Sequence, residues 1–173
     1  MKILVVSDSF KGSMTSKEVG MTICDYYQNH HLEATYLPIS DGGEGFLDAI
    51  NDSFQLEKQQ MQVEDANFNY TESAYIIDQK NKIAYLELAQ SIGLAKLDKN
   101  KLNALYASSF GFGHLIKEII LKYQIKKIII GIGGSATSDL GCGMLEALGV
   151  EFIDKDGFLI KKMCNAKLMK VRK

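Results

Sequence analysis

The sequence has no tryptophan, a single proline (Pro38) and three cysteines in 173 residues. With one proline, glycine at 15 residues does most of the punctuation between elements. Cys24, Cys142 and Cys164 are odd in number and widely spaced, which argues against a disulfide framework and against a C-x-x-C metal site. No apolar run approaches the ~18 residues that a membrane-spanning helix needs. The opening K-I-L-V-V is interrupted by Ser7 and Asp8 too soon for a signal peptide. Charge of one sign is also lacking. The formal net charge is −1, so a nucleic-acid binder that works mainly through phosphate neutralisation is not expected. Internal repeats and low-complexity tracts are absent. Together these absences favour a soluble protein in a reducing, cytoplasmic setting with no nucleic-acid or membrane partner.

What is there is globular in composition, with 46% hydrophobic and 24% charged residues. The length suits one domain, or one domain with a small second lobe. Seven basic residues stand against two acidic ones from Asp154 to Lys173, which leaves the rest of the chain acidic. That basic end, 161–173, reads as a solvated, disordered tail.

The apolar, β-branched run at 2–7 reads as a buried strand. Thr15-Ser-Lys-Glu18 is a capping box that opens a helix over about 15–30. Residues 33–39 suit a second strand and 46–53 a short helix. Partial alternation over 56–64, 67–78 and 82–88, with a turn at Gln79-Lys80-Asn81, reads as an antiparallel meander. The α/β pattern then returns: a helix over 112–123, a buried strand over 125–132, a helix over 142–149, a strand over 150–154 and a turn at Asp154–Gly157. The expected fold class is α/β. A parallel-sheet, flavodoxin- or Rossmann-like portion comes from segments 1–53 and 105–160, and 54–104 forms a β-rich segment or second lobe.

Three polar loops each follow a candidate strand, where open α/β sheets hold their ligands. The first, D-S-F-K-G-S from Asp8 to Ser13, offers a carboxylate, the Lys11 ammonium and two hydroxyls before a helix N-terminus, an arrangement that suits anions. The second, D-G-G-E-G from Asp41 to Gly45, packs glycines around two acids that suit Mg²⁺ coordination or general-base work. The third, G-I-G-G-S-A-T-S-D-L-G-C-G from Gly131 to Gly143, presents amides and hydroxyls to phosphate oxygens. It lacks the G-K-[ST] ending of a Walker A loop. It does contain G-x-G-x-x-A, with Asp154 near the place of a ribose-binding acid, so a dinucleotide-binding oxidoreductase must be weighed. That reading would start a helix near Ser135 and bury Gly141 and Gly143 in its interior, at a cost of about 1 kcal/mol each. His114, on the S-S-F-G-F-G-H segment, reads as a capping or packing residue.

Together the motifs D-S-F-K-G-S, D-G-G-E-G, S-F-G-F-G and G-I-G-G-S-A-T-S-D-L-G-C-G-M-L-E-A-L-G-V, in this order, resemble the glycerate kinase type 1 family from residue 1 to about 160. The resemblance implies transfer of the γ-phosphoryl group of ATP to D-glycerate with Mg²⁺. It also implies a fold of two α/β domains, one flavodoxin-like, with the site in the cleft between them. In that setting Lys11, Asp41 and Asp139 are the candidate catalytic residues, with Asp41 or Asp139 taking the proton of the attacking hydroxyl. Asp8, Ser9, Ser13, Gly42, Gly43, Gly133, Gly134, Ser135 and Thr137 are candidates for substrate and phosphate binding. Glu44, Asp41 and Asp139 are candidates for Mg²⁺. The residues leave open which loop takes ATP and which takes glycerate; the resemblance favours the 2-hydroxyl as acceptor.

Departures from the family pattern are Ser138 where Asn is common, Leu140 where Gly is frequent and Phe112 where Thr is usual. Family members run to about twice this length, and the likeness fades after Gly157. A truncated or frameshifted member is therefore expected, incomplete relative to the two-domain fold. Three alternatives stay open: an inactive remnant, a half-enzyme that needs a partner chain or self-associates through the face left uncovered, and the remote oxidoreductase.

Overall fold

The computed structural model describes residues 1–10 and 12–172. It opens with a β-α-β unit. Strand β1 (Lys2–Val5) pairs in parallel with β2 (Glu33–Tyr36), with Ile3 opposite Ala34. Helix α1 (Ser16–Asn29) connects them. Its start is the expected capping box: Thr15 Oγ1 accepts the Glu18 amide at 3.2 Å, and the Thr15 amide donates to Glu18 Oε2 at 2.8 Å. The helix covers one face of the strand pair, where Val5, Cys24 and Ala34 are buried. Side chains alternate along a strand, so Leu4 and Val6 point the other way and are exposed at 62% and 47%.

Helix α2 (Phe46–Phe54) leads into a four-stranded sheet of β3 (Lys58–Glu64), β4 (Tyr70–Asp78), β5 (Ile83–Glu87) and β6 (Lys127–Gly131), in that spatial order. β3, β4 and β5 form the expected antiparallel meander, and β6 joins β5 in parallel. The β-rich segment and the later α/β segment thus share one sheet. Helix α4 (Phe110–Lys122) packs on one face, around Tyr75, Leu86, Phe112 and Leu115. α2 packs on the other, with Leu47 against Ile76 and Tyr85. The alternation Tyr75/Ile76 and Tyr85/Leu86 between the two faces is the period of two that makes both sides apolar.

Two expectations are corrected. The apolar run over 125–132 is not wholly buried. β6 is an edge strand of the sheet, and Ile130 and Ile132 are 37% and 73% exposed. The basic end is not an unstructured tail over its described residues. Met163 and Cys164 are buried, the Ser108 hydroxyl donates to the Met163 carbonyl at 2.6 Å, and a 3-10 helix runs over Asn165–Lys170. Glu146 accepts the amides of Lys162 and Met163 at 2.8 and 2.7 Å. Two apolar side chains and one carboxylate anchor a stretch whose lysines suggested only solvation; Lys173 lies outside the described residues.

The remaining elements are α3 (Ala89–Ile92), α5 (Cys142–Ala147) and a hairpin of β7 (Phe152–Ile153) and β8 (Leu159–Ile160). No helix among the described residues is long and apolar enough to cross a membrane.

Candidate functional site

The first loop folds tightly before α1: the Phe10 carbonyl accepts the amides of Ser13 and Met14 at 2.8 and 3.1 Å. Asp8 Oδ1 accepts the Ser9 amide at 2.7 Å. Asp8, Ser9 and Ser13 line a cavity of about 390 Å³ together with Glu44, Asp48 and Asp52. Lys17 also faces it and pairs with Asp52 at 2.7 Å. The Asp52 hydrogen bond and charge hold the Lys17 ammonium above the ordinary lysine range. Lys11, the expected anion-binding cation, lies outside the described residues.

The second and third loops are joined backbone to backbone. Gly42 stands at φ +86°, in the left-handed region that favours glycine, and its carbonyl accepts the Gly133 amide at 2.8 Å. A Cβ on Gly133 would lie 2.5 Å from the Gly43 Cα, so the contact depends on glycine. Asp41 closes an Asx turn by accepting the Gly43 amide at 2.7 Å. The third loop is also held from behind: Gly134 accepts the Leu94 amide at 2.9 Å, and Ala136 donates to the Ile92 carbonyl at 2.9 Å. Gly134 and Ser135 line a second cavity of about 510 Å³ with Lys99 and Leu102. Glu44 borders both cavities and stands between the first loop and the third. The Ser135 and Thr137 hydroxyls lie 3.0 Å apart, and the Thr137 amide donates to Ser135 Oγ at 3.1 Å.

Asp139 stands elsewhere. Its carboxylate is 1% exposed and lines neither cavity. Oδ2 accepts the Ser109 amide and hydroxyl, both at 2.8 Å, and the Gly143 amide at 3.0 Å; Oδ1 accepts the Gly141 amide at 3.2 Å. Four donors occupy a carboxylate that sequence reading had offered to Mg²⁺ or a proton. The structure brings Asp8, Ser9, Ser13, Glu44, Gly134 and Ser135 to the cavities, with Asp41, Gly42, Gly43 and Gly133 as the frame beneath. It leaves Asp139 bracing α5.

No cluster of three or more His, Cys, Asp or Glu side chains among the described residues could hold a metal ion. Mg²⁺ usually keeps several waters and takes one or two carboxylates plus substrate phosphates. Glu44 and Asp8, which face one cavity, fit that mode; Asp139 does not.

Sequence reading missed Lys17, Asp48 and Asp52, which sit on helices rather than in the loops, and it missed Glu87. That residue is an acid ending the apolar run I-A-Y-L-E, level with the ligand loops, and its position was the available signal. The dinucleotide reading lacks the early helix it requires and the free ribose-binding acid it invoked. The helix after the Gly-rich loop starts at Cys142, well past Ser135, and Asp154 is spent accepting the Asp156 and Phe158 amides in its own turn.

The family model described as the glycerate kinase family matches residues 3–173. A glycerate kinase of Neisseria meningitidis serogroup B is 38% identical over 159 residues, covering 91% of this chain and 42% of that protein. The glycerate kinase of Halalkalibacterium halodurans is 38% identical over 162 residues, covering 92% and 42%. The glycerate 2-kinase of Escherichia coli K12 is 35% identical over 159 residues, covering 91% and 42%. A crystal structure assigned as glycerate kinase 2 from Salmonella typhimurium LT2 superposes with a TM-score of 0.82 at 30% identity, covering 99% of this chain and 46% of that one. The chain thus spans about 42% of the length of the curated relatives it matches. With a family model matched over nearly its whole length, this chain belongs to the glycerate kinase family.

Proposed function

We propose that this chain forms the nucleotide- and acceptor-binding part of an ATP-dependent glycerate kinase, with the 2-hydroxyl of D-glycerate as acceptor. The observation that carries the reading is the convergence of the three loops on Glu44, with the second and third joined through Gly42 and Gly133. The name of the Escherichia coli relative supports the 2-hydroxyl.

Phosphoryl transfer is mostly positioning and charge neutralisation. The Gly134 and Ser135 amides and the Ser135 hydroxyl supply donors for phosphate or carboxylate oxygens in the second cavity, and Ser9 and Ser13 supply hydroxyls in the first. Asp8, Glu44, Asp48 and Asp52 make the first cavity acidic, which repels a bare triphosphate. Glu44 and Asp8 would hold the Mg²⁺ that offsets that repulsion. Bound there, the ion neutralises charge on the transferred group. Asp41, an exposed carboxylate in the frame beneath the cavities whose Oδ1 holds the Gly43 amide, is the remaining candidate to accept the hydroxyl proton. Lys11 would add a cation to the same loop.

A second reading rests on the open faces. Leu4, Val6, Leu37 and Ile132 are exposed, and a two-stranded parallel sheet covered on one face is a poor free-standing unit. Here the chain binds ligands only when polypeptide equivalent to the uncovered part of its relatives packs on these faces.

The test is Mg²⁺- and ATP-dependent phosphorylation of D-glycerate, with the product regiochemistry read by NMR. It is run on the monodisperse chain alone and on the chain co-expressed with the complementary part of a relative. Formation of 2-phosphoglycerate in either sample supports the proposal, and turnover only in the second selects the half-site reading. A folded complex that makes no phosphoglycerate overturns it.

A further inference from the structure

Glu87 ends β5 and is 1% exposed, yet among the described residues no cation lies within ion-pair distance of its carboxylate. Burying an ionised carboxylate without compensation is costly. The compensation comes from one donor on α2 and one on α3. Glu87 Oε2 accepts the Leu47 amide at 3.1 Å from forty residues away, and Oε1 accepts Gln90 Nε2 at 3.2 Å. α2 needs this. Its N-cap residue is Gly45, at φ +90°, which has no side chain to cap the first turn. An anion at a helix N-terminus also suits the helix dipole.

The location gives the contact a consequence. Glu87 is paired in register with Gly131, and the Leu88 amide donates to the Gly131 carbonyl at 2.9 Å. A Cβ on Gly131 would meet the Gly42 carbonyl at 2.8 Å. One buried carboxylate therefore touches the first turn of α2 just where the acidic loop leans on the Gly-rich loop.

We propose that Glu87 is a positioning residue of the ligand site. Its carboxylate caps α2 and so fixes the Asp41–Gly45 loop, with Glu44, against Gly131–Ser135. This rests on the reading that these loops form the ligand site. The rival role is a space-filling core residue.

Amide hydrogen exchange and proton shifts, measured by NMR on the wild-type chain, Glu87→Gln and Glu87→Met, separate the two. Loss of a charge-assisted bond to a backbone amide should raise exchange at Leu47 and residues 42–46 about tenfold in Glu87→Gln, and more in Glu87→Met. The Leu47 amide proton should move upfield, while β3–β5 and α4 keep their protection. Titration with Mg·ATP should perturb the Glu44 and Ser135 amides in the wild type and do so about tenfold more weakly in Glu87→Gln. Unchanged exchange and shift at Leu47, or protection lost evenly across the sheet, overturns the positioning role. A wild-type chain silent to Mg·ATP both alone and with the complementary part of a relative overturns the ligand-site reading instead, and the exchange pattern still decides whether Glu87 caps α2. Should Glu87→Met fail to fold, the isosteric Glu87→Gln decides alone.

Discussion

Ser109 and Asp139 are joined twice: the Ser109 amide and hydroxyl both donate to Asp139 Oδ2, each at 2.8 Å. The Ser109 oxygen in turn accepts the Met144 amide at 2.9 Å, so the pair ties the start of α4 to the first turn of α5. Gly143 completes the knot, because a Cβ there would press on Asp139, Ser108 and the Phe110 amide. This places the Asp139 carboxylate in the scaffold that anchors the end of the Gly-rich loop to α4 and α5.

Asp139→Ala should therefore act on stability. It strands several buried donors, each costing about 1–3 kcal/mol when left unpaired, so a loss of roughly 3 kcal/mol or more is expected in urea unfolding. Under conditions where the variant stays folded, Mg·ATP affinity should match the wild type. An unchanged urea midpoint with lost affinity would return Asp139 to the ligand site.

How far the sequence could be read follows from how local each signal is. The Thr15–Glu18 box spans four residues, and α1 starts where it says. The alternation that splits Tyr75 from Ile76 is equally local, and the meander was legible. Other features depend on distant partners. The inward turn of Asp139 is set by Ser109, thirty residues away, and the cap on α2 by Glu87, forty away. The exposure of Ile130 follows from β6 lying at an edge, which no property of I-I-I-G announces. The three candidate loops were legible as loops at strand ends, but their order in space was not, because that depends on the Gly42–Gly133 contact between separate segments.

That contact makes Gly133→Ala a sharp probe. The added methyl would overlap the Gly43 backbone, which cannot swing aside as a side chain would. Overpacking of this kind costs about 1–3 kcal/mol. The expected outcome is a modest fall in urea midpoint together with lost Mg·ATP perturbation at Glu44, read by NMR. Wild-type binding in this variant would show that the two loops act independently.

Acid should loosen the start of α1. The Thr15 amide, with help from the Thr15 hydroxyl, holds the Glu18 carboxyl below the ordinary glutamate range. A carboxyl depressed in the folded state contributes stability above its unfolded value of ~4.3 and loses it as pH falls through the folded value. Exchange at the Thr15 and Glu18 amides, taken relative to that of an unprotected amide at the same pH, should therefore rise below about pH 4 in the wild type. In Glu18→Gln it should be raised at neutral pH and lose that step. A step that survives in the variant would assign the acid response to another group.

Met163 is the point at which the basic end becomes structure. It is 0% exposed, and its carbonyl takes the Ser108 hydroxyl while its amide reaches Glu146. Ser108 neighbours Ser109, so the packing of the last described residues continues the Asp139 network. Met163→Ala should cost about 2–5 kcal/mol, as for other buried Met truncations. Deleting 161–173 should cost more, since it also strands the Ser108 hydroxyl and the Glu146 carboxylate. Glu146→Gln isolates the carboxylate's share and should fall between wild type and the deletion. Urea unfolding of the three variants decides: a deletion no less stable than wild type would mean that the lysine-rich end is carried passively, and that α5 stands on Asp139 alone.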